Sequence, residues 1–291
     1  MGSIFDGMAD LGLDNLEGMN VMAKETSPQE RSAQIKGKKI AEKEEFNEES
    51  CLYDKMVECH VCGNKFKNKT LMTGKTRLIS TDKDLRNKYF GVEPLKYDVI
   101  SCPKCGYTAT NKYFVPLAPS QKKAIQEKIS AFYKPMIFDK RIYTYDDAIS
   151  RYRLALANAV VKNARNSERA YTCLRAGWMV RSYIEELEAA EPVDEKLLSE
   201  MKSLEDEFIR NAYDGYILAM SNEDFPISGM DETTLNYLLA ALSIRYKQYE
   251  TAAKLIASIL QSRTAASRIK DKARDLKDEL LELMKQAKQT S

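Results

Sequence analysis

The stretches 57-VECHVCGNKF-66 and 100-ISCPKCGYTA-109 repeat one pattern, Cys-x-x-Cys-Gly, with thirty-nine residues between Cys62 and Cys102. Four of the six cysteines are spent on these two turns. A Cys-x-x-Cys turn brings two sulfurs to one side of a tetrahedron, and zinc, which has no d-electron preference, is held tetrahedrally by thiolates at about 2.3 Å. The glycine after each pair, Gly63 and Gly106, can take the left-handed conformation that turns the chain back and aims backbone N–H groups at the sulfurs. Cys59, Cys62, Cys102 and Cys105 are therefore expected to form a closed site for one structural Zn²⁺ per chain, with no position left for an activated water. Two other readings use the same residues. A thioredoxin-type dithiol expects a single pair opening a helix in a βαβ unit, and neither pair here is followed by helical periodicity. An iron–sulfur cluster takes the same ligand type.

Working outward, the sequence between the knuckles reads as strands and turns: "TRLIS" (Thr76 to Ser80) and "YDVIS" (Tyr97 to Ser101) are rich in β-branched or aromatic residues, and Gly74, Gly91 and Pro94 punctuate them. This region is basic. Cys59 to Lys112 holds eleven Lys and Arg against four Asp and Glu, whereas residues 1–58 hold seven against thirteen, and the whole chain carries a net charge of only +2. Four thiolates around a divalent zinc leave a formal negative charge, which Lys65 and Lys104 are placed to balance. Cys51 lies too far from the first pair for a knuckle and reads as a spare thiol; Cys173, beside Leu174, reads as core. The single histidine, His60, sits inside the first knuckle with its side chain expected to point outward, which leaves no imidazole for a Ser/His/Asp or Cys/His arrangement. Neither GxxxxGK[ST] nor GxGxxG occurs.

Before the knuckles, residues 1–50 read as a loosely docked segment: Ile4, Met8 and Leu11 fall at helical spacing, and Lys24 to Glu49 is a charged stretch without apolar periodicity. "MGSIFD" does not complete a myristoylation signal, because Asp6 stands where Ser or Thr is required. Neither a signal peptide nor a membrane span is expected, which with the thiolate-type cysteine usage places the chain in the cytoplasm.

After Tyr113 the pattern is helical. "PSQKKAIQEKISAFY" is an amphipathic connector that Pro135 interrupts; Thr144 and Asp147 make a capping box for the next helix; further helices are predicted near 167–189, 194–222, 231–247, 249–262 and 267–288. Ala148, Tyr152 and Ala155, then Ala212, Tyr216 and Ala219, then less faithfully Ala252, Ile256 and Ile259, put small and large residues on one face at i, i+4 and i+7. Tyr145 and Tyr249 precede the first Ala by three residues, as in tetratricopeptide repeats. The predicted fold class is α+β, mostly α: a zinc-ribbon-like β module over 51–116, a helical connector over 117–143, and a tetratricopeptide-like stack over 144–291. Its last helix shows Ile269, Ala273, Leu276, Leu280, Leu283 and Met284 on one side and charge elsewhere, as a solenoid cap requires. An irregular helical bundle is the alternative.

On "CHVCGNKFKNK", "PLKYDVISCPKCGYTA", "AISRYRLAL" and "NEDFPISGMDETTLNYLLAAL", the chain resembles the bacterial family catalogued as domain of unknown function 2225, over roughly Met56 to Arg263. His60 stands where that family's pattern usually has proline. The resemblance implies the architecture above and a bacterial source, and assigns no activity.

Two functions compete. The first is a non-enzymatic adaptor whose helical domain binds a protein or peptide partner; Tyr213, Asn236, Tyr237 and Arg245 are candidate groove contacts and equally candidate packing residues. The second is nucleic-acid binding by the ribbon through Lys65, Lys67, Lys69, Lys75, Arg77, Lys83, Arg86 and Lys88, interleaved with Phe66, Tyr89 and Phe90, against which stands an ordinary solvated lysine face. For an enzyme, no constellation of residues converges.

Overall fold

The computed structural model describes residues 47–135 and 140–289, so the expectations for residues 1–46 lie outside the described residues. Three antiparallel hairpins follow one another: β1 (Leu52–Glu58) with β2 (Lys65–Leu71), β3 (Arg77–Thr81) with β4 (Asn87–Phe90), and β5 (Val99–Ser101) with β6 (Thr108–Thr110). The first and third are closed by the two cysteine knuckles. In register, Glu58 faces Lys65, Val57 faces Phe66 and Asp54 faces Lys69, so the alternating lysines of β2 meet carboxylates while Phe66 turns inward. Of the two predicted strands, "TRLIS" shifts by one residue to become β3, and "YDVIS" loses its first two. Pro94–Tyr97 instead forms a 3₁₀ turn that Glu93 caps through Leu95 N–H, since Pro94 presets the turn's φ and can donate no strand hydrogen bond.

An isolated two-stranded hairpin is marginal in water, and each of these leans on helices. The helices are α1 (Pro119–Ile125), α2 (Tyr145–Val161), α3 (Asn166–Glu188), α4 (Glu195–Asn222), α5 (Glu232–Arg245), α6 (Tyr249–Gln261) and α7 (Ser267–Gln289). The connector departs from its prediction. After Ile125 it widens into a π turn, Gln126–Ser130, well before Pro135; the extra residue keeps both Ile125 and Ile129 against the cysteine module.

Caps start the helices where side chains can supply them. Thr144 Oγ1 accepts from Asp147 N–H at 3.2 Å while Asp147 accepts from Thr144 N–H at 2.9 Å, completing the predicted box. Asp194 and Asp231 cap α4 and α5 through Leu197 and Thr234 N–H, at 3.0 and 2.7 Å. All three predicted triplets, from Ala148–Tyr152–Ala155 to Ala252–Ile256–Ile259, are buried. The small residues let backbones approach. A Cβ on Gly177 would lie 2.5 Å from Ile209 Cδ1, and one on Gly215 would lie 3.0 Å from Ala170 Cβ. Because 177 meets 209 while 215 meets 170, α3 and α4 run antiparallel. Successive helices α5, α6 and α7 share a further core that includes Ala240, Ile256, Ala273, Leu276 and Leu280.

The hairpins share this interior. Leu95 and Val99 belong to the buried cluster of α2–α5, and Ile125 and Val161 pack into that of the cysteines. Polar ties reinforce the contact: Arg175 Nε donates to Asp98 at 2.9 Å, Trp178 Nε1 to Asp84 at 3.0 Å, and the buried Arg151 to Asn68 at 3.1 Å and to the Val99 carbonyl. The described chain is therefore mostly helical with small antiparallel sheets, and among the described residues no helix is long and apolar enough to cross a membrane.

Candidate metal centre

Each knuckle is built the same way. Gly63 N–H donates to the Cys59 carbonyl at 2.9 Å and Gly106 N–H to the Cys102 carbonyl at 3.0 Å; Cys59 N–H in turn donates to Asn64 O and Cys102 N–H to Tyr107 O, both at 2.9 Å. Both glycines sit at positive φ, +69° and +73°, the conformation anticipated for them. These turns aim donors at sulfur: Val61 N–H points at Cys59 Sγ, 3.4 Å away, while the N–H groups of Lys104 and Cys105 serve Cys102 and that of Tyr107 serves Cys105.

The four sulfurs converge. Cys59 Sγ is 3.5 Å from Cys105 Sγ and Cys62 Sγ is 3.7 Å from Cys102 Sγ, and all four lie within 4.8 Å of one another. A tetrahedral ion with bonds of about 2.3 Å requires sulfur separations of about 3.8 Å, so the cage has the size of a single ion. It is too wide for a disulfide, whose bond is about 2.05 Å, and all six cysteines are free. It is also too narrow for a polynuclear iron–sulfur cluster, whose cysteines bind separate irons. The short contacts cross between knuckles rather than joining partners within a pair, contrary to a redox dithiol. Cys59, Cys102 and Cys105 are buried and Cys62 is half-buried, so four protein ligands enclose the centre.

The thiols resist ionising together without a cation. Hydrogen bonding to Cys102 raises the Cys59 thiol to about 12, and Cys105 is raised by Cys102 and Cys59, whereas hydrogen bonds from Cys105 and Cys59 hold Cys102 down at about 2. A divalent ion at the centre would stabilise all four thiolates at once. Tyr107 forms the floor, fully buried and stacked on Phe114 at 5.0 Å. The side chain of Asn158 donates to the Gly106 carbonyl at 3.0 Å from α2. Sequence reasoning missed Asn158, which shares its helical face with the charged residues Arg151 and Lys162 as well as with Ala155 and so does not stand out. Cys51 and Cys173 lie outside the cage, buried, as expected for a spare and a core thiol. His60 is half-buried rather than outward, its ring 5.2 Å from that of Phe114. Lys65 turns to Glu58, 3.9 Å away, rather than to the cage, and Lys104 contributes its backbone N–H.

The basic residues of the hairpins are scattered and paired. Lys67 and Lys69 both approach Asp54, at 3.8 and 2.6 Å; Lys83 meets Glu279 at 2.7 Å; Lys88 meets Glu185 at 2.6 Å. Arg86 is buried, pairing with Asp82 at 2.7 Å and with Glu185. Lys75 and Arg77 are exposed, and Arg77 lies over the Phe90 ring at 5.8 Å. Of the candidate groove contacts, Tyr213 meets Ser243 at 3.2 Å, Arg245 pairs with Glu205 and Asp206, and Asn236 and Tyr237 are buried.

The family described as "Uncharacterized protein conserved in bacteria (DUF2225)" matches residues 52–280, from the first strand through most of α7. A protein of Borreliella burgdorferi described as "Uncharacterized protein" is 28% identical over 153 residues, 47% of this chain and 53% of that protein, so the match spans about half the length of the relative. No solved structure matches the chain.

Proposed function

We propose that this chain, which belongs to the bacterial family DUF2225, is a non-catalytic, zinc-stabilised adaptor that binds a protein partner through a tetratricopeptide-like helical domain. The observation that carries the reading is the enclosed cage of Cys59, Cys62, Cys102 and Cys105. Soft sulfur ligands at single-ion spacing favour zinc over magnesium or calcium, which take oxygen. A fully protein-ligated zinc has no open position for substrate or activated water, so its contribution is to the fold.

The helical half supports the partner reading. Two faces with a small–large–small spacing, on α2 and α4, and the less faithful Ala252–Ile256–Ile259 face of α6 are all buried, and α7 closes the series with Ala273, Leu276 and Leu280 inward and its other sides charged, as a terminal capping element does. Stacked helix pairs of this kind present extended surfaces suited to peptides. The nucleic-acid reading has less support: Arg86 is buried and Lys65, Lys67, Lys69, Lys83 and Lys88 face carboxylates, so few cations are left to gather phosphates. The test is elemental analysis of protein purified without added metal, joined to affinity capture from the source cell. One zinc per chain and a protein partner retained by residues 144–289 in the full chain are expected; a metal-free protein, or capture of nucleic acid alone, would contradict the reading.

A further inference from the structure

A cavity of about 680 Å³ opens between the β3–β4 turn and the outer half of α7, within the range of about 300–1,000 Å³ typical of ligand sites. Asp275, Asp278, Glu279 and Glu282 line it. They recur at i, i+3, i+4 and i+7 and so form one stripe. Like charges at that spacing repel, and the cavity lining holds only two cations against them, Lys83 and Lys272; the other lysines of α7 near the stripe, Lys270, Lys277 and Lys285, lie outside it. Only Glu279 of the four has an ion-pair partner among the described residues, Lys83 at 2.7 Å.

The floor adds an independent feature. Tyr237 is 97% buried, being only 3% exposed, yet it lines the cavity, and its hydroxyl makes no hydrogen bond among the described residues. Burial, then the negative charges of Asp275, Asp84 and Glu279, raise that phenol to about 12. The site already accepts cations from its own chain: Lys272 Nζ lies 5.7 Å from the centre of the Tyr237 ring, and Lys83 enters from the β3–β4 turn. An aromatic ring, an unused hydroxyl and a row of carboxylates, with Leu276 and Leu283 beside them, match an extended segment that alternates Lys or Arg with apolar residues.

We propose that this groove binds a basic peptide segment of the partner, with its Lys or Arg side chains set against Asp275, Asp278 and Glu282, the carboxylates that have no ion-pair partner among the described residues. The assignment rests on the adaptor reading above and specifies the partner's chemistry. The probe is the fluorescein-labelled peptide Gly-Lys-Leu-Arg-Lys-Leu-Gly, titrated against the full chain by fluorescence anisotropy. Combined Asp275→Asn, Asp278→Asn and Glu282→Gln substitutions are expected to weaken binding by about tenfold or more, and higher salt to weaken it further. An equal charge change at exposed positions outside the lining, Glu200→Gln with Asp214→Asn and Glu250→Gln, is expected to change it less than about twofold, since none of the three lines the groove. Tyr237→Phe, which keeps the ring and its packing, is expected to weaken binding by a smaller factor. Equal losses from both triple variants, or equal binding of a peptide with Gln at the basic positions, would overturn the assignment. A protein partner captured alike by the wild type and by the α7 triple variant would also overturn it while leaving the adaptor reading in place.

Discussion

At the scale of single residues, the two knuckle glycines differ in what they tolerate. Gly63 sits at φ +69° with nothing within 4 Å of where a Cβ would stand, so Gly63→Ala meets only the left-handed penalty of roughly 1–2 kcal/mol. Gly106 has φ +73° and a Cβ there would lie 2.6 Å from the Tyr133 ring, so strain and a displaced aromatic add together. Gly106→Ala is expected to cost about 3 kcal/mol, more than Gly63→Ala, in denaturant unfolding of the metal-loaded protein; equal losses would contradict the geometry. Cysteine roles are separable in the same way. Cys62→Ser is expected to abolish stoichiometric metal content, and Cys51→Ser to leave it intact. These roles were legible because thiolate spacing and a following glycine are local signals. Asn158 and Tyr133 were not, because their contacts with Gly106 reach it from elements far along the chain, and nothing in a neighbouring residue marks them.

Among the elements, the helices were legible to within a few residues because their periodicity and caps are written locally, as the Thr144–Asp147 box illustrates. The Asp231 cap yields a pH prediction. The N–H and hydroxyl of Thr234 hold its carboxyl below the usual range. The folded value therefore lies below the unfolded one, and the cap's stabilisation is fully present above the unfolded pKa of about 3.9 and fades as pH falls through the folded value. Asp231→Ala is expected to lose about 1 kcal/mol at neutral pH, with the deficit against wild type shrinking in acid; a deficit independent of pH would refute this. Between elements, Glu205 of α4 accepts from Arg181 of α3 at 2.9 Å and from Arg245 of α5 at 2.8 Å. Burial raises its carboxyl pKa, but the two guanidinium groups outweigh burial and lower it. Glu205→Ala leaves Arg181 with Asp84 at 2.8 Å and Arg245 with Asp206 at 3.1 Å, so it is expected to cost about 1.5–3 kcal/mol for the lost charged hydrogen bonds, measurable by urea unfolding. This triad was invisible in the sequence, where the three charges read as ordinary solvated residues; only the helix packing brings them together. The misread connector has a similar origin, since the gain from seating Ile129 beside Ile125 belongs to the tertiary core.

For the molecule as a whole, the hairpins cannot stand alone, and two forces hold them: the cage, and their seating on the helices through Leu95, Val99, Arg151 and Trp178. A structural zinc contributes on the order of 10–16 kcal/mol in peptide systems, several times any single side-chain contact considered above. Stripping the metal is therefore expected to release the knuckles first. Amide exchange at Gly63, Gly106 and along β5–β6 should accelerate by orders of magnitude while the α3–α4 interface around Gly177 and Ile209 stays protected. A mostly helical chain with small antiparallel sheets and a four-cysteine cluster could be anticipated from two cysteine turns and a run of periodic helices. How far the halves interlock could not, because contacts such as Arg175 to Asp98 obey no sequence period.

The central claim, one zinc held by four sulfurs, is tested most directly by zinc-edge X-ray absorption on the purified full chain. The account predicts a single shell of four sulfur scatterers at about 2.3 Å with no oxygen or nitrogen neighbour. A spectrum requiring a water or imidazole ligand, or a protein that is fully folded with no metal bound, would contradict it.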